Sequence, residues 1–231
     1  MGIRRGEITT KIVSDGLVFN MDPANRASYP KTGTTATDTI GNNSCTLNGT
    51  TFSNVNSGIF NFDGSDDFVS ISGGVSSLNF GTDDLTYSVW VKASFSSSNR
   101  YFMGTFTDPT TNNGGIAMGV HTSQYPSWRV WFSGTYFNPG TAAIVDGEWH
   151  NFILIRNSGT AQVYIDGVAD GSGVDMSTKS ITNSAAIQVG RLMNGLEYWN
   201  GDIGPVHIYN RALSAEEVLS NYNGLKERFE L

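Results

Sequence analysis

The sequence predicts an all-β fold, a two-sheet antiparallel sandwich with one short helix at its C-terminal end, and three observations predict it. Short runs with strand alternation recur at close spacing along most of the 231 residues, which is the pattern of a sandwich. Only 15% of residues are charged and 27 are Gly, and Ser, Thr and Asn are abundant; this composition suits many tight turns. Gly201 to Val218 reads as a last strand that runs into a capped helix. Val206 and Ile208 alternate, Ser214 and Glu217 form a capping box, and Leu213 and Val218 supply the hydrophobic staple around it.

The elements follow in order. Residues 1–15 read as a polar N-terminal arm, and 16–231 as one domain with no repeat or linker inside it. Gly16 to Met21 is the first strand. Asp22 to Asn43 is turn-rich, with no helix. Ile59 to Phe62 and Phe68 to Ile71 alternate on either side of Asp63-Gly64 and read as a hairpin. Tyr87 to Lys92 is the best central strand, with Tyr87, Val89 and Val91 on one face and Ser88, Trp90 and Lys92 on the other. Arg100 to Met103, Gly115 to Val120 and Trp128 to Phe132 are further strands. Glu148 to Arg156, Gln162 to Ile165 and Val168-Ala169 form two successive hairpins, with Asn157-Ser158-Gly159 and Asp166-Gly167 as turn chemistry. Ala186 to Gly190 precedes the closing strand. Asn223-Gly224 is a natural C-cap for the helix, and Leu225 to Leu231 is a short tail of mixed charge.

Composition also excludes partners. The net charge is −7, from 14 basic and 21 acidic residues, and Arg4-Arg5 is the one adjacent basic pair. Nucleic-acid binding wants a basic face and is not expected. No apolar run has membrane-spanning length, and Met1 to Ile8 holds no apolar core of a signal peptide. Cys45 is the single cysteine, so no intrachain disulfide can form, which points to assembly in a reducing compartment.

Five segments then resemble one family. Phe62-Asp63-Gly64-Ser65-Asp66-Asp67-Phe68-Val69 is similar to the F-D/N-G-x-D-D-Y/F-V segment of laminin-G-like, concanavalin A-like lectin/glucanase domains. Tyr87 to Lys92 resembles the family's S-x-W-V-K strand. Glu148-Trp149-His150 resembles its W-H-H start, with Asn151 for the second His, and Val163 to Gly167 its Y-V-D/N-G hairpin. Gly201 to Val218 resembles its G-D-I-D-x-V-R-I-Y-N-R-A-L-S-x-E-E ending, with Gly204 in place of the second Asp and His207 in place of the Arg. The resemblance covers residues 16 to 225 and implies a jelly roll of about a dozen strands. Asp15 to Asp22 with Asn25 to Pro30 also resembles the form of this domain found in tailed-bacteriophage virion proteins.

Relatives of this fold cleave glycans, which takes two carboxylates across the scissile bond. The related glucanases carry them two apart on one strand, and no such run exists here. Asp146 and Glu148 are two apart but are separated by the turn-like Gly147. His121, His150 and His207 have no Ser or Cys nucleophile in a recognisable setting. No catalytic residues are assigned. Asp63, Asp66, Asp67 and Asp202 are hard oxygen donors of the kind Ca²⁺ takes. The resemblance implies one Ca²⁺, with Asp202 the best single candidate and Asp63 near it if the strands pair as the family suggests. Asp63 and Asp66 read first as Asx turns that cap the hairpin, and Gly204 in place of the second Asp of the ending counts against the metal. Sugar binding wants aromatic faces with fixed polar groups; Tyr125, Trp128, Trp131 and Tyr136 form the densest aromatic stretch, readable as core, subunit contact or ligand platform. Tyr198-Trp199 is a similar case, and Trp90 and Trp149 read as core.

The resulting expectation is a non-catalytic structural and interaction protein of a phage virion, a decoration, fibre or tail-associated module. Its partners would be other virion proteins, copies of itself and host-surface glycan, and it would reach the virion surface after assembly in the host cytoplasm. The alternative is a carbohydrate-binding lectin module with Ca²⁺; a glycan hydrolase ranks last.

Overall fold

The computed structural model describes residues 12–41, 43–72, 78–94, 100–105, 115–120, 128–132, 135–137, 140–181, 187–192, 195 and 197–231. Two antiparallel sheets of eight strands form a sandwich. In spatial order the first sheet holds β14 (Val168–Asp175), β13 (Thr160–Ile165), β12 (Trp149–Asn157), β7 (Leu85–Ala93), β16 (Asn200–Tyr209), β5 (Ile59–Asp63) and β4 (Thr51–Ser53), and β1 (Leu17–Met21) also pairs with β16. The second holds β11 (Thr135–Phe137), β10 (Trp128–Phe132), β9 (Ile116–Val120), β8 (Arg100–Gly104), β15 (Ile187–Val189), β6 (Phe68–Ser72), β3 (Ser44–Asn48) and β2 (Thr35–Thr37).

Alternation decides which side chains meet between the sheets. Tyr87, Val89 and Val91 of β7 join Phe152 and Leu154 of β12 and Phe102 and Met103 of β8 in the main core. Trp90 faces away, as its parity demands. The two hairpins after β12 form as expected. Ser158-Gly159 and Asp166-Gly167 all have positive φ, the conformation a two-residue turn needs to match strand twist. β16 changes partner along its length, facing β5 over Asn200–Ile203 and β1 over Val206–Tyr209. Pro205 sits between, where the pairing with β7 also shifts register; it has no N–H to give a ladder.

Two expectations fail here. β5 and β6 are not a hairpin: β5 pairs with β4 and β16, whereas β6 pairs with β3 and β15. The turn at Gly64–Asp67 is a corner that carries the chain from one sheet to the other, and alternation on each side of a turn cannot tell the two apart. The helix does not stop at Asn223-Gly224 either. α1 runs Ala215–Leu225 and passes into a 3₁₀ turn, Lys226–Phe229. Leu225 and Phe229 are buried with Ile59, Trp90 and Trp149 on the outer side of the first sheet, and that burial outweighs the Gly stop signal. The tail is therefore a packed strap. The Phe229 ring stacks on Trp90 at 4.3 Å between centroids, and Arg228 donates to both oxygens of Asp22, at 2.9 and 3.0 Å.

Gly204, where the family pattern has Asp, has a local reason. A Cβ there would stand 2.9 Å from Phe229 and 3.2 Å from Trp90. The capping box is present: the Ser214 Oγ accepts from the Glu217 N–H at 3.3 Å, and the Ser214 N–H donates to Glu217 Oε2 at 2.9 Å. Leu213 and Val218 are buried together against Ile153, Ile155 and Tyr209. Of the expected arm, Ile12 to Asp15 are described and lie on the domain; the Val13 N–H donates to Asn221 Oδ1 at 2.8 Å.

Candidate functional site

Two of the connections that cross between the sheets, β5 to β6 and β15 to β16, meet where Arg100 donates to the carbonyls of both Gly64 and Tyr198. Strand register builds the floor there. On the outer face of the second sheet, Thr35, Thr46, Ser70 and Gln188 lie directly opposite one another on β2, β3, β6 and β15. Thr37, Ser44 and Ser72 form a parallel row, as do Asn48 and Phe68. With neighbouring strands about 4.8 Å apart, the four-residue row spans about 14 Å. It is a polar strip without a charged side chain.

Arg191 closes the strip. Its guanidinium carbon lies 3.4 Å from the centre of the Phe68 ring, and Tyr198 flanks it at 5.6 Å. Its Nε donates to Gln188 Oε1 at 3.3 Å and its Nη1 to the Tyr198 hydroxyl at 3.0 Å. Gln188 in turn donates through Nε2 to Ser70 Oγ at 3.0 Å. Arg100 fastens the same connection from below, donating from Nη1 to the carbonyls of Gly64 at 2.8 Å and Tyr198 at 2.6 Å.

Beyond Arg191 the connection covers the sheet. Leu192 packs with Tyr101, Ala117 and Trp131 on its outer side. Gly104 makes room, since a Cβ would come within 3.2 Å of Leu192 and 3.4 Å of the Arg191 carbonyl.

The sequence-predicted residues divide accordingly. Trp131 is only 2% exposed, packed with Leu192, Tyr101 and Ala117 on the outer side of the second sheet rather than in the main core. Trp128 and Tyr136 are on β10 and β11, Tyr136 opposite Trp131, but their side chains lie outside the described residues, as does all of Tyr125. Trp199 is fully buried against Phe102, whereas Tyr198 stands at the strip. Phe68, Gln188 and Arg191 were not predicted. Phe68 and Gln188 were legible as strand residues, and nothing local marks Arg191, because its partners are up to 123 positions away.

Asp63 and Asp202 share the outer side of the first sheet but sit diagonally: Asp63 is opposite Asn200, and Asp202 opposite Asn61. Asp202 accepts from Asn61 Nδ2. Burial raises its carboxyl, while that hydrogen bond and the charge of Lys92 pull it back. Asp63 groups instead with Asp66 and Asp67, one carboxylate oxygen of each lying within 4.8 Å of the others. Asp63 Oδ1 accepts from the Ser65 N–H at 2.8 Å, and Asp67 Oδ2 from the Asp63 N–H at 2.9 Å. Asp67 is pushed up, first by burial and then by its acidic neighbours.

The imidazole of His150 is held between carboxylates, with Nδ1 2.8 Å from Asp166 and Nε2 3.1 Å from Asp146. Asp146 also accepts from the Glu148 N–H at 2.9 Å. The acid pair weighed in the sequence is thereby tied into a turn. Among the described residues no helix is long and apolar enough to cross a membrane.

Comparison with solved structures finds the same sandwich. Domain 4 of AbnA, a GH43 extracellular arabinanase from Geobacillus stearothermophilus, in complex with arabinotriose, is similar over 89% of this chain and 98% of its own, with 17% identity and a TM-score of 0.63. Trypanosoma rangeli sialidase in complex with the inhibitor DANA matches 91% of this chain at 13% identity and a TM-score of 0.68, over 33% of its own length. The Botulinum neurotoxin serotype D binding domain matches 91% at 14% identity and a TM-score of 0.67, over 51% of its length. This chain thus spans a third of the sialidase and half of the neurotoxin domain, and at such identities the likeness is one of fold. Comparison with curated protein sequences finds no match. A family model described as the concanavalin A-like lectin/glucanases superfamily matches residues 63–219, well over half of the chain, and the protein belongs to that superfamily.

Proposed function

We propose that this protein is a non-catalytic glycan-binding module whose sugar lies along the Thr35–Thr46–Ser70–Gln188 strip. The observation that carries this is the strip itself: the exposed hydroxyls of Thr35 and Thr46 and the half-buried one of Ser70 stand in register and lead, through the buried Gln188 amide, to an aromatic-backed guanidinium. A sugar needs that combination: hydroxyls and amides to exchange hydrogen bonds, and a ring face for its apolar side. The superfamily agrees, and one structural relative is described in complex with arabinotriose.

A Ca²⁺ at the β5–β6 corner belongs to this reading. Asp63, Asp66 and Asp67 offer the hard oxygens such an ion takes, and a cation there would relieve their mutual repulsion. Asp202 is held by Asn61 and is the weaker ligand of the predicted pair.

Titration of the intact chain with neutral oligosaccharides, followed by calorimetry, tests the site. Binding is expected, and Ser70→Trp, which places a bulky ring in the middle of the strip, is expected to abolish it. Binding that survives Ser70→Trp at full strength puts the sugar elsewhere. The setting proposed for the module is a tailed-phage virion, on the likeness of Asp15 to Pro30 to such proteins. Mass spectrometry of purified particles made by the phage that encodes this chain would sink that setting if the chain were missing from them.

A further inference from the structure

Resting on the glycan reading above, we infer that the sugar bears a carboxylate and that Arg191 receives it. Among the described residues Arg191 is the charged group that the strip itself contacts, and its position is fixed from three sides. Phe68 lies under the guanidinium plane, while Gln188 and the Tyr198 hydroxyl take hydrogen bonds from Nε and Nη1. No carboxylate pairs with it among the described residues, although the chain has 21 acidic residues against 14 basic ones. Its Nη2 has no acceptor there and is not among the buried polar atoms that lack one, so it reaches the surface.

An oriented, half-buried guanidinium with one free edge is a receptor for a planar anion. The Nη1 and Nη2 groups form a fork that matches the two oxygens of a carboxylate. Stacking on Phe68 removes water from one face of the cation and strengthens its pull. Prior ordering by Gln188 and Tyr198 means that little side-chain entropy is lost on binding. A neutral hydroxyl would use the same edge less well, because it offers one oxygen and no charge. Of the corner carboxylates, those of Asp63 and Asp67 are turned on backbone N–H groups of the corner, those of Asp63, Ser65 and Asp66. The same fork also fits two oxygens of a tetrahedral anion, so a sulfated sugar is the competitor that the test includes.

The test compares trigalacturonate with the neutral trigalactoside of the same linkage, by calorimetry on the intact chain. The uronide is expected to bind on the order of tenfold more tightly, as a charge-assisted pair implies. Arg191→Gln is expected to erase that advantage, so that the variant binds the two sugars with equal affinity, however far both are weakened. Arg191→Lys keeps the charge without the fork and should retain only part of it, which covers the case in which Arg191→Gln does not fold. In the wild type the Arg191 Nε–H resonance should move with the uronide and hold still with the neutral sugar. Equal affinity for the two sugars, or a uronide preference that survives Arg191→Gln, overturns the inference and leaves the glycan reading standing. A sulfated trisaccharide that binds as tightly as the uronide overturns the choice of carboxylate. If neither the uronide nor the neutral sugar binds, both readings fall.

Discussion

Two histidines set opposite limits on stability, and only contact geometry distinguishes them. His207 is buried on β16 and is held down to about 4, chiefly by burial, with the charge of Arg228 adding to it and that of Asp22 opposing. The unfolded chain takes up that proton first, near its ordinary 6.5, so stability falls as pH drops from 6.5 to about 4. The shift corresponds to roughly 3 kcal/mol. Burial also acts against the charge of His150, but hydrogen bonds and charge from Asp166 and Asp146 outweigh it and hold it above 6.5. Its contribution is complete below pH 6.5 and disappears as pH rises through the higher folded value. Urea denaturation across pH 4 to 9 checks both. His150→Gln should remove the alkaline decline and leave the acid one; an unchanged alkaline limb would show that the two carboxylates do not grip the ring. In the sequence both residues read as structural, and neither the burial of one nor the bracketing of the other was legible, because Asp166 reaches His150 only across the β12–β13 hairpin.

At the scale of elements, the C-terminal strap shows where local signals end. Ser214 and Glu217 start α1 through contacts within one turn, and these were legible. Its end was not, because Leu225 and Phe229 are held by Ile59, Trp90 and Trp149, residues that no local pattern connects to them. Phe229→Ala is expected to cost about 3 kcal/mol, the order for removing a buried ring, and to shift tryptophan fluorescence to the red as Trp90 and Trp149 are uncovered. Gly204→Ala should also destabilise, because its Cβ would stand 2.9 Å from the Phe229 ring. The double variant should cost less than the sum, since removing the ring removes the collision. Strict additivity in a double-mutant cycle would show that Gly204 is not there for Phe229. The β5–β6 corner teaches the same lesson: Phe62 to Val69 was legible as two strands and a turn, but not as a passage between sheets.

At the scale of the molecule, the corner and the β15–β16 connection are joined through Arg100, so a cation at Asp63, Asp66 and Asp67 would stabilise the whole fold by mass action. Excess Ca²⁺ is expected to raise the melting temperature over that in chelator, and Asp66→Asn to abolish the rise; identical melting curves with and without Ca²⁺ would remove the ion from the reading. The sequence by itself determined the sandwich, its best strands, the two successive hairpins after Trp149 and its capped helix. Each of these depends on periodicity, turn chemistry or contacts within a few residues, all written locally. Only the tertiary structure decided that Trp131 is sealed under Leu192, that the tail is a strap, and that Phe68, Gln188, Arg191 and Tyr198 meet. Those outcomes depend on which strands become neighbours and which faces a crossing connection covers. Such pairings join residues far apart in the chain and are selected by packing and hydrogen bonding over the whole sandwich.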